Sequence, residues 1–131
     1  MKEIKLQVLD GDFSICQVEE LSQADFSGAF CFVAKTDEEI SLVCPEERVP
    51  KNATACDAGW RALRVAGTLD FSLIGILAKL TRTLADSGIG LFAISTYNTD
   101  YILVRQERLA DAVRALRSAG YPVSEQGAAR N

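Results

Sequence analysis

The stretch Gly67-Thr68-Leu69-Asp70-Phe71-Ser72-Leu73-Ile74-Gly75-Ile76-Leu77 sets a carboxylate, a hydroxyl and a glycine where a β-rich run gives way to helical periodicity. A helix start leaves backbone N–H groups without intrahelical partners and favours negative charge, so such a junction suits a ligand carboxylate. Asp70 is placed to take an ammonium or guanidinium group, and Gly75 removes a side chain from the path of an approaching ligand. Together they suit a zwitterion. A purely structural reading stands beside this one: Asp70 and Ser72 cap the helix, and Gly75 packs against a strand. The second cluster is Ser95-Thr96-Tyr97-Asn98-Thr99-Asp100, a turn dense in hydrogen-bonding groups and closed by a carboxylate. Asn, Thr and Asp are also ordinary turn residues that bond to their own backbone. Ser41, inside the apolar run Ile40-Ser41-Leu42-Val43, is harder to explain as packing, although a serine on a sheet edge can simply face water. Trp60 is expected in the core, and Arg61, Arg64, Lys79 and Arg82 in solvent.

Other chemistries are excluded by what is missing. The chain has no histidine, so Ser-His-Asp and Cys-His mechanisms have no imidazole. Cys16, Cys31, Cys44 and Cys56 lie a dozen or more residues apart with no C-x-x-C pair, and no histidine completes a mixed zinc site. Neither a metal nor a cofactor is expected, and the cysteines read as reduced, mostly buried small hydrophobes. A redox role for Cys44 or Cys56 is the alternative, testable by thiol labelling.

With 48% hydrophobic and 24% charged residues among 131, the chain buries an ordinary core. Its 14 basic and 18 acidic residues give a net charge of −4 without a basic run, which argues against nucleic acid and against anionic membrane surfaces. Met1-Lys2-Glu3-Ile4-Lys5 lacks the apolar stretch of a secretory signal, and no apolar run approaches a membrane span. A cytoplasmic location is the expectation.

The elements that must carry these residues follow from periodicity. Ile4, Leu6 and Val8 alternate with Lys5 and Gln7 as a strand; Asp10-Gly11-Asp12 is a turn, and Phe13, Ile15 and Gln17 form the return strand. Val18 to Asp25 allows only a short helix or loop. Ala29 to Ala34 and Ile40 to Cys44 form a hairpin across Lys35-Thr36-Asp37-Glu38-Glu39. Pro45 to Ala58, with two prolines and no sustained period, reads as a surface linker. Trp60, Leu63 and Val65 then mark a strand. Leu73, Ile76, Leu77, Leu80 and Leu84 make one helical stripe that Gly88 closes. Ile89 to Ser95 and Asp100 to Arg105 are paired strands, Leu109, Val113 and Leu116 lie on a second helix stopped by Gly120, and Tyr121 and Val123 make a last strand. The order βαββαβ is ferredoxin-like: an α+β unit with an antiparallel sheet and both helices on one face.

An internal echo extends this reading to the first half. Ala29 to Val43 parallels Leu91 to Val104, each with Thr-Asp at the turn, and Glu46-Glu47-Arg48-Val49 matches Gln106-Glu107-Arg108-Leu109 until Pro50 halts the first copy. Two related units are expected, a degenerate one over residues 1–58 and a complete one over residues 59–126.

Gly59-Trp60-Arg61-Ala62-Leu63-Arg64-Val65-Ala66-Gly67 leading into Leu69 to Leu77, then Ser95-Thr96 and Thr99-Asp100-Tyr101-Ile102-Leu103-Val104, together with Ile40 to Pro45 and Val49-Pro50, resemble the tandem ACT-domain proteins. These are small bacterial ACT proteins whose paired domains also occur in the cytosolic arginine sensors of animals. The resemblance implies a non-catalytic protein that binds a small ligand, a free amino acid, at an ACT–ACT interface. It maps ligand contacts onto Ser41 and Leu42, onto Asp70, Phe71, Ser72, Gly75 and Ile76, and onto Thr96, Asn98, Thr99 and Asp100. The animal sensors carry two such pairs in one chain, whereas here there is one, so a complete site calls for a homodimer or has been lost. The alternative function is a ligand-free protein-interaction or dimerisation module; an enzyme using Asp70 and Asp100 as acid and base is the weakest reading.

Overall fold

Alternation at the N-terminus gives β1 (Ile4–Val8), with Ile4, Leu6 and Val8 buried. The structure, a computed structural model, describes residues 4–67 and 75–125. There follow β2 (Phe13–Val18), β3 (Phe32–Lys35), β4 (Ile40–Pro45), β5 (Ala53–Gly67), α1 (Ile76–Asp86), β6 (Phe92–Ser95), β7 (Asp100–Arg105), α2 (Leu109–Ser118) and β8 (Val123–Glu125). Between β2 and β3 the chain makes turns and no helix.

The expected linker is not one. After one 3-10 turn at Glu46–Arg48, Ala53 opens a strand of 15 residues. Residues 53–58 are mostly small and exposed, so no apolar alternation announces them; pairing with β2 makes them a strand. Ile15 faces Asp57 and Phe13 faces Trp60, which leaves an extra residue on β5, and Gly59 absorbs this bulge at φ 86°.

The turn at residues 10–12 does not fold β2 back onto β1, as the alternation alone suggests. β1 pairs with residues 63–67 of β5 and with β8, while β2 pairs with β4 and with residues 53–60 of β5. A period of two identifies a strand without naming its neighbour.

The chain divides into two units. Residues Gly11–Trp60 form one, with antiparallel strand order β3-β4-β2-β5. Its core joins Cys16, Val18 and Leu42, flanked by Leu21, Ile40 and Val49. Phe13 and Phe30 meet edge to face at 6.0 Å. Met1–Asp10 and Arg61–Asn131 form the other unit, ordered β6-β7-β5-β1-β8. Here β8 runs parallel to β1, so the sheet is mixed where a wholly antiparallel one is expected. Leu6, Val8, Leu63, Val65, Ile102 and Val104 are spaced by two along their strands and therefore share one face. Leu80 and Leu84 of α1 and Ala112, Val113 and Leu116 of α2 join the same cluster, which puts both helices on that face. The α+β arrangement read from the sequence is thus present.

Both helices stop in one way. Gly88 and Gly120 take φ values of 72° and 98°. Ile89 N–H reaches back to Leu84 O and Gly88 N–H to Ala85 O; Tyr121 N–H reaches Leu116 O and Gly120 N–H reaches Arg117 O. These are paired Schellman bonds.

The internal echo has a geometric counterpart. Adding 60 to each bound converts β3, β4 and the first 3-10 turn into β6, β7 and the turn Gln106–Arg108 (32 to 92, 40 to 100, 46 to 106). The equivalent turn residues are therefore Thr36 and Thr96, whose N–H groups bond Glu39 O and Thr99 O, and not the two Thr-Asp pairs. By the same offset Ser41 corresponds to Tyr101. After the 3-10 turns the copies part. Val49 is extended at φ −62°, ψ 126°, whereas Leu109 is helical at φ −60°, ψ −45°. Pro50 accounts for this, since its ring disfavours the helical region for the preceding residue.

Candidate functional site

Three of the residues singled out in the sequence, Asp70, Phe71 and Ser72, lie outside the described residues. Gly75 and Ile76 stand at the start of α1. Leu73, the first member of the expected stripe, also lies outside the described residues, and α1 begins three residues after it: Gly75 is the N-cap, left-handed at φ 83°, and Ile76 is the first helical residue, packed against the core cluster. A Cβ at Gly75 would meet nothing within 4 Å, so backbone conformation, not close packing, requires glycine there. Glycine offers no side-chain cap, and the first turn carries no acidic residue. The macrodipole and N–H groups of this turn are thus not countered by its own side chains.

The Thr96–Asp100 turn is built largely by its own bonds. Thr96 Oγ1 donates to Thr99 O at 2.9 Å and accepts from Thr99 N–H at 3.3 Å, and Ser95 Oγ donates to Asp100 Oδ1. Thr99 Oγ1 donates to Val65 O, which ties the turn to the C-terminal end of β5, two residues short of Gly67. Tyr97 and Asn98 project into solvent at the tip, Tyr97 with 94% of its surface exposed.

Ser41 and Leu42 belong to the other unit, on β4 between β2 and β3 and so not on an edge. Ser41 Oγ donates to Glu39 Oε1 at 2.9 Å. Leu42 is buried in the core of that unit, so it can offer a ligand only packing from beneath. The structure thus brings Thr96, Thr99 and Asp100 together, and Ser41 with Glu39, a partner the sequence did not single out.

Arg61 and Arg64, expected in solvent, are half-buried: they donate to Leu9 O at 3.1 Å and to Gln7 Oε1 at 2.8 Å. Trp60 is buried as expected. A groove of about 640 Å³ runs along α2 past Leu109, Val113, Arg117 and Glu125, and one of about 630 Å³ lies beside the β3–β4 turn with Glu19, Lys35, Asp37 and Glu38. Neither holds a predicted contact.

The thiols form the most perturbed group. Cys16 and Cys44 are buried, Cys31 is partly so and Cys56 is exposed; all are free. Burial pushes the Cys16 thiol up to about 12, aided by the neighbouring Cys56, and burial pushes Cys44 to about 11. Among the described residues no group of three or more Cys, Asp or Glu side chains is arranged to hold a metal. No described helix is long and apolar enough to cross a membrane.

A βαββαβ unit with both helices on one face of its sheet is an α+β, ferredoxin-like architecture of the kind ACT domains adopt. The ACT domain family matches residues 55–118. A structurally known protein of Agobacterium tumefaciens is 32% identical, with 95% of this chain and 94% of that one aligned at a TM-score of 0.85. The chain belongs to the ACT-domain family. It is also 32% identical over 101 residues to the human protein CASTOR3P, a match that takes in 68% of this chain and 62% of that one. The regulatory subunit of aspartate kinase from Thermus thermophilus, 10% identical, shares the fold with a TM-score of 0.63 over 92% of this chain.

Proposed function

We propose that the chain is a non-catalytic regulatory module of the cytoplasm that binds a free amino acid and works as a homodimer. The observation that carries this reading is the pairing, in one unit, of a helix start capped by glycine with a hydroxyl-rich turn tied to the end of β5. The N–H groups of the α1 first turn take the ligand carboxylate, and Asp70 or Asp100 takes its ammonium. Phe71, Ser72, Gly75 and Ile76 shape the carboxylate side, and Thr96, Asn98 and Thr99 shape the other. The ACT relatives, among them a regulatory subunit of aspartate kinase, support a regulatory role over a catalytic one. A degenerate ACT-like copy then lies within residues 1–58 and the complete one within 59–126, with β1 joining the sheet of the complete one.

Calorimetric titration of the purified protein with each of the common amino acids tests this. One of them is expected to bind, and Asp70→Ala and Asp100→Ala to weaken it. Heat from none of them sinks the sensor reading. A ligand-free interaction module is the second reading, favoured by the exposure of Tyr97 on the β6–β7 turn and of Phe26 at 59%. There, Asp70→Ala and Asp100→Ala leave self-association unchanged while Tyr97→Ala weakens partner capture.

A further inference from the structure

The strand hidden in the expected linker places two cysteines face to face. Cys56 lies directly opposite Cys16 in the antiparallel β2–β5 pair, and their Sγ atoms are 3.3 Å apart. Directly opposed residues of antiparallel strands have Cα atoms about 4.5–5.5 Å apart, inside the range of about 4.4–6.8 Å that a disulfide spans. Closing the sulfurs from 3.3 Å to about 2.05 Å asks only for side-chain rotation and a small strand adjustment. The two thiols also differ in access, Cys56 being exposed and Cys16 buried.

We propose that Cys16 and Cys56 are a peroxide-reactive thiol pair, in which Cys56 reacts first with a hydroperoxide and Cys16 resolves it as a cross-strand disulfide. In the first step the Cys56 thiolate attacks one peroxide oxygen. An S–O bond forms, the O–O bond breaks, and the departing hydroxide takes a proton to leave as water. Cys56 is then a sulfenic acid. Next, Cys16 gives up its proton, its sulfur attacks Cys56 Sγ, the S–O bond breaks and the second hydroxide leaves as water. The two thiols lose two electrons and two protons in all, and hydrogen peroxide is reduced to two waters. The order follows from access and charge. Burial holds Cys16 protonated, which bars it from the first attack, and the neighbouring Cys56 adds to that effect. Cys16 attacks in the second step because Cys56 Sγ stands 3.3 Å away, so proximity offsets its small thiolate fraction. Cys44 also lies within reach of Cys16 but sits at a different register, opposite Ser14, so Cys56 is the direct partner. The link pins the exposed first half of β5 to β2.

The test treats the full chain with hydrogen peroxide, blocks remaining thiols by alkylation and maps the products by intact and peptide mass spectrometry. The expected result is loss of two hydrogens per chain and one peptide joining Cys16 to Cys56, reversed by dithiothreitol. Cys56→Ser abolishes the link. Cys16→Ser leaves a Cys56 sulfenic acid that a dimedone-type probe captures several-fold more than in the wild type. The pair is overturned if wild-type Cys56 collects two oxygens while Cys16 stays alkylatable, if Cys31 or Cys44 replaces either partner, if two copies join through Cys56, or if no thiol is oxidised. The wild-type map requires no substitution, so a misfolded variant does not decide the outcome.

Discussion

Thr99 is the residue through which the candidate turn is fastened to the sheet, since its hydroxyl donates to Val65 O. Thr99→Val keeps the shape and removes the donor, leaving a partly buried carbonyl without its bond. A loss of about 1 kcal/mol is expected in urea unfolding, with Thr99→Ser retaining most of the wild-type stability. A larger effect on amino-acid binding than on stability would place Thr99 in the site and not merely in the turn. The thiols give a second prediction at this scale. Cys16 and Cys44 are raised from 9.0 to about 12 and about 11, so between those values the unfolded chain releases protons that the folded one keeps. Their contribution is whole below pH 9 and is lost as pH rises through 11 to 12. The urea midpoint is expected to fall over that window, and less steeply in Cys16→Ala. These residues also mark where the sequence was silent. Hydroxyls and carboxylates near 70 and 96–100 are legible as candidates from type alone. Cys16 and Cys56 are not, because their meeting depends on a strand built from Ala, Thr and Asp that carries no apolar pattern.

Elements were legible wherever a core face imposes a period. Ile4, Leu6 and Val8 reveal β1, and the stripe through Ile76, Leu80 and Leu84 reveals α1, because each period answers to burial on one side. Neighbours were not legible, as β1 and β2 show by pairing with different halves of β5. The comparison of the two 3-10 turns explains why one copy has a second helix and the other does not: Pro50 holds Val49 extended where Leu109 is helical. The arginines of the two turns, 48 and 108 by the same offset of 60, also act alike. Arg108 donates to Gly88 O and Ser87 O at the C-terminus of α1, and Arg48 donates to Asp25 and Ser27 in the loop before β3. A guanidinium at a helix C-terminus satisfies free carbonyls and opposes the dipole. Arg108→Ala should therefore lower stability by about 0.5–1 kcal/mol, an effect that salt diminishes. Gly88→Ala and Gly120→Ala each force a side chain into the left-handed region and should cost about 1–2 kcal/mol, read as a lower urea midpoint at unchanged slope.

For the whole molecule, regulation requires that a ligand distinguish two states, and a ligand that binds only the folded chain reports itself through stability. At a concentration of 100 times its Kd, the bound amino acid should raise the unfolding free energy by about 2.7 kcal/mol. If Asp100 holds the ammonium, Asp100→Ala removes a charge-assisted bond of about 1.5–3 kcal/mol, roughly a 10- to 100-fold loss of affinity. The ligand-free variant should stay folded, because the turn keeps its Thr96–Thr99 bonds. Self-association separates a one-chain site from a shared one. When two copies build the site, the stabilisation grows with protein concentration at fixed ligand saturation, and sedimentation shows the dimer fraction rising as ligand is added. A gain in stability that ignores protein concentration, with sedimentation unchanged, confines binding to a single chain and removes the homodimer from the proposal while leaving the sensor in place.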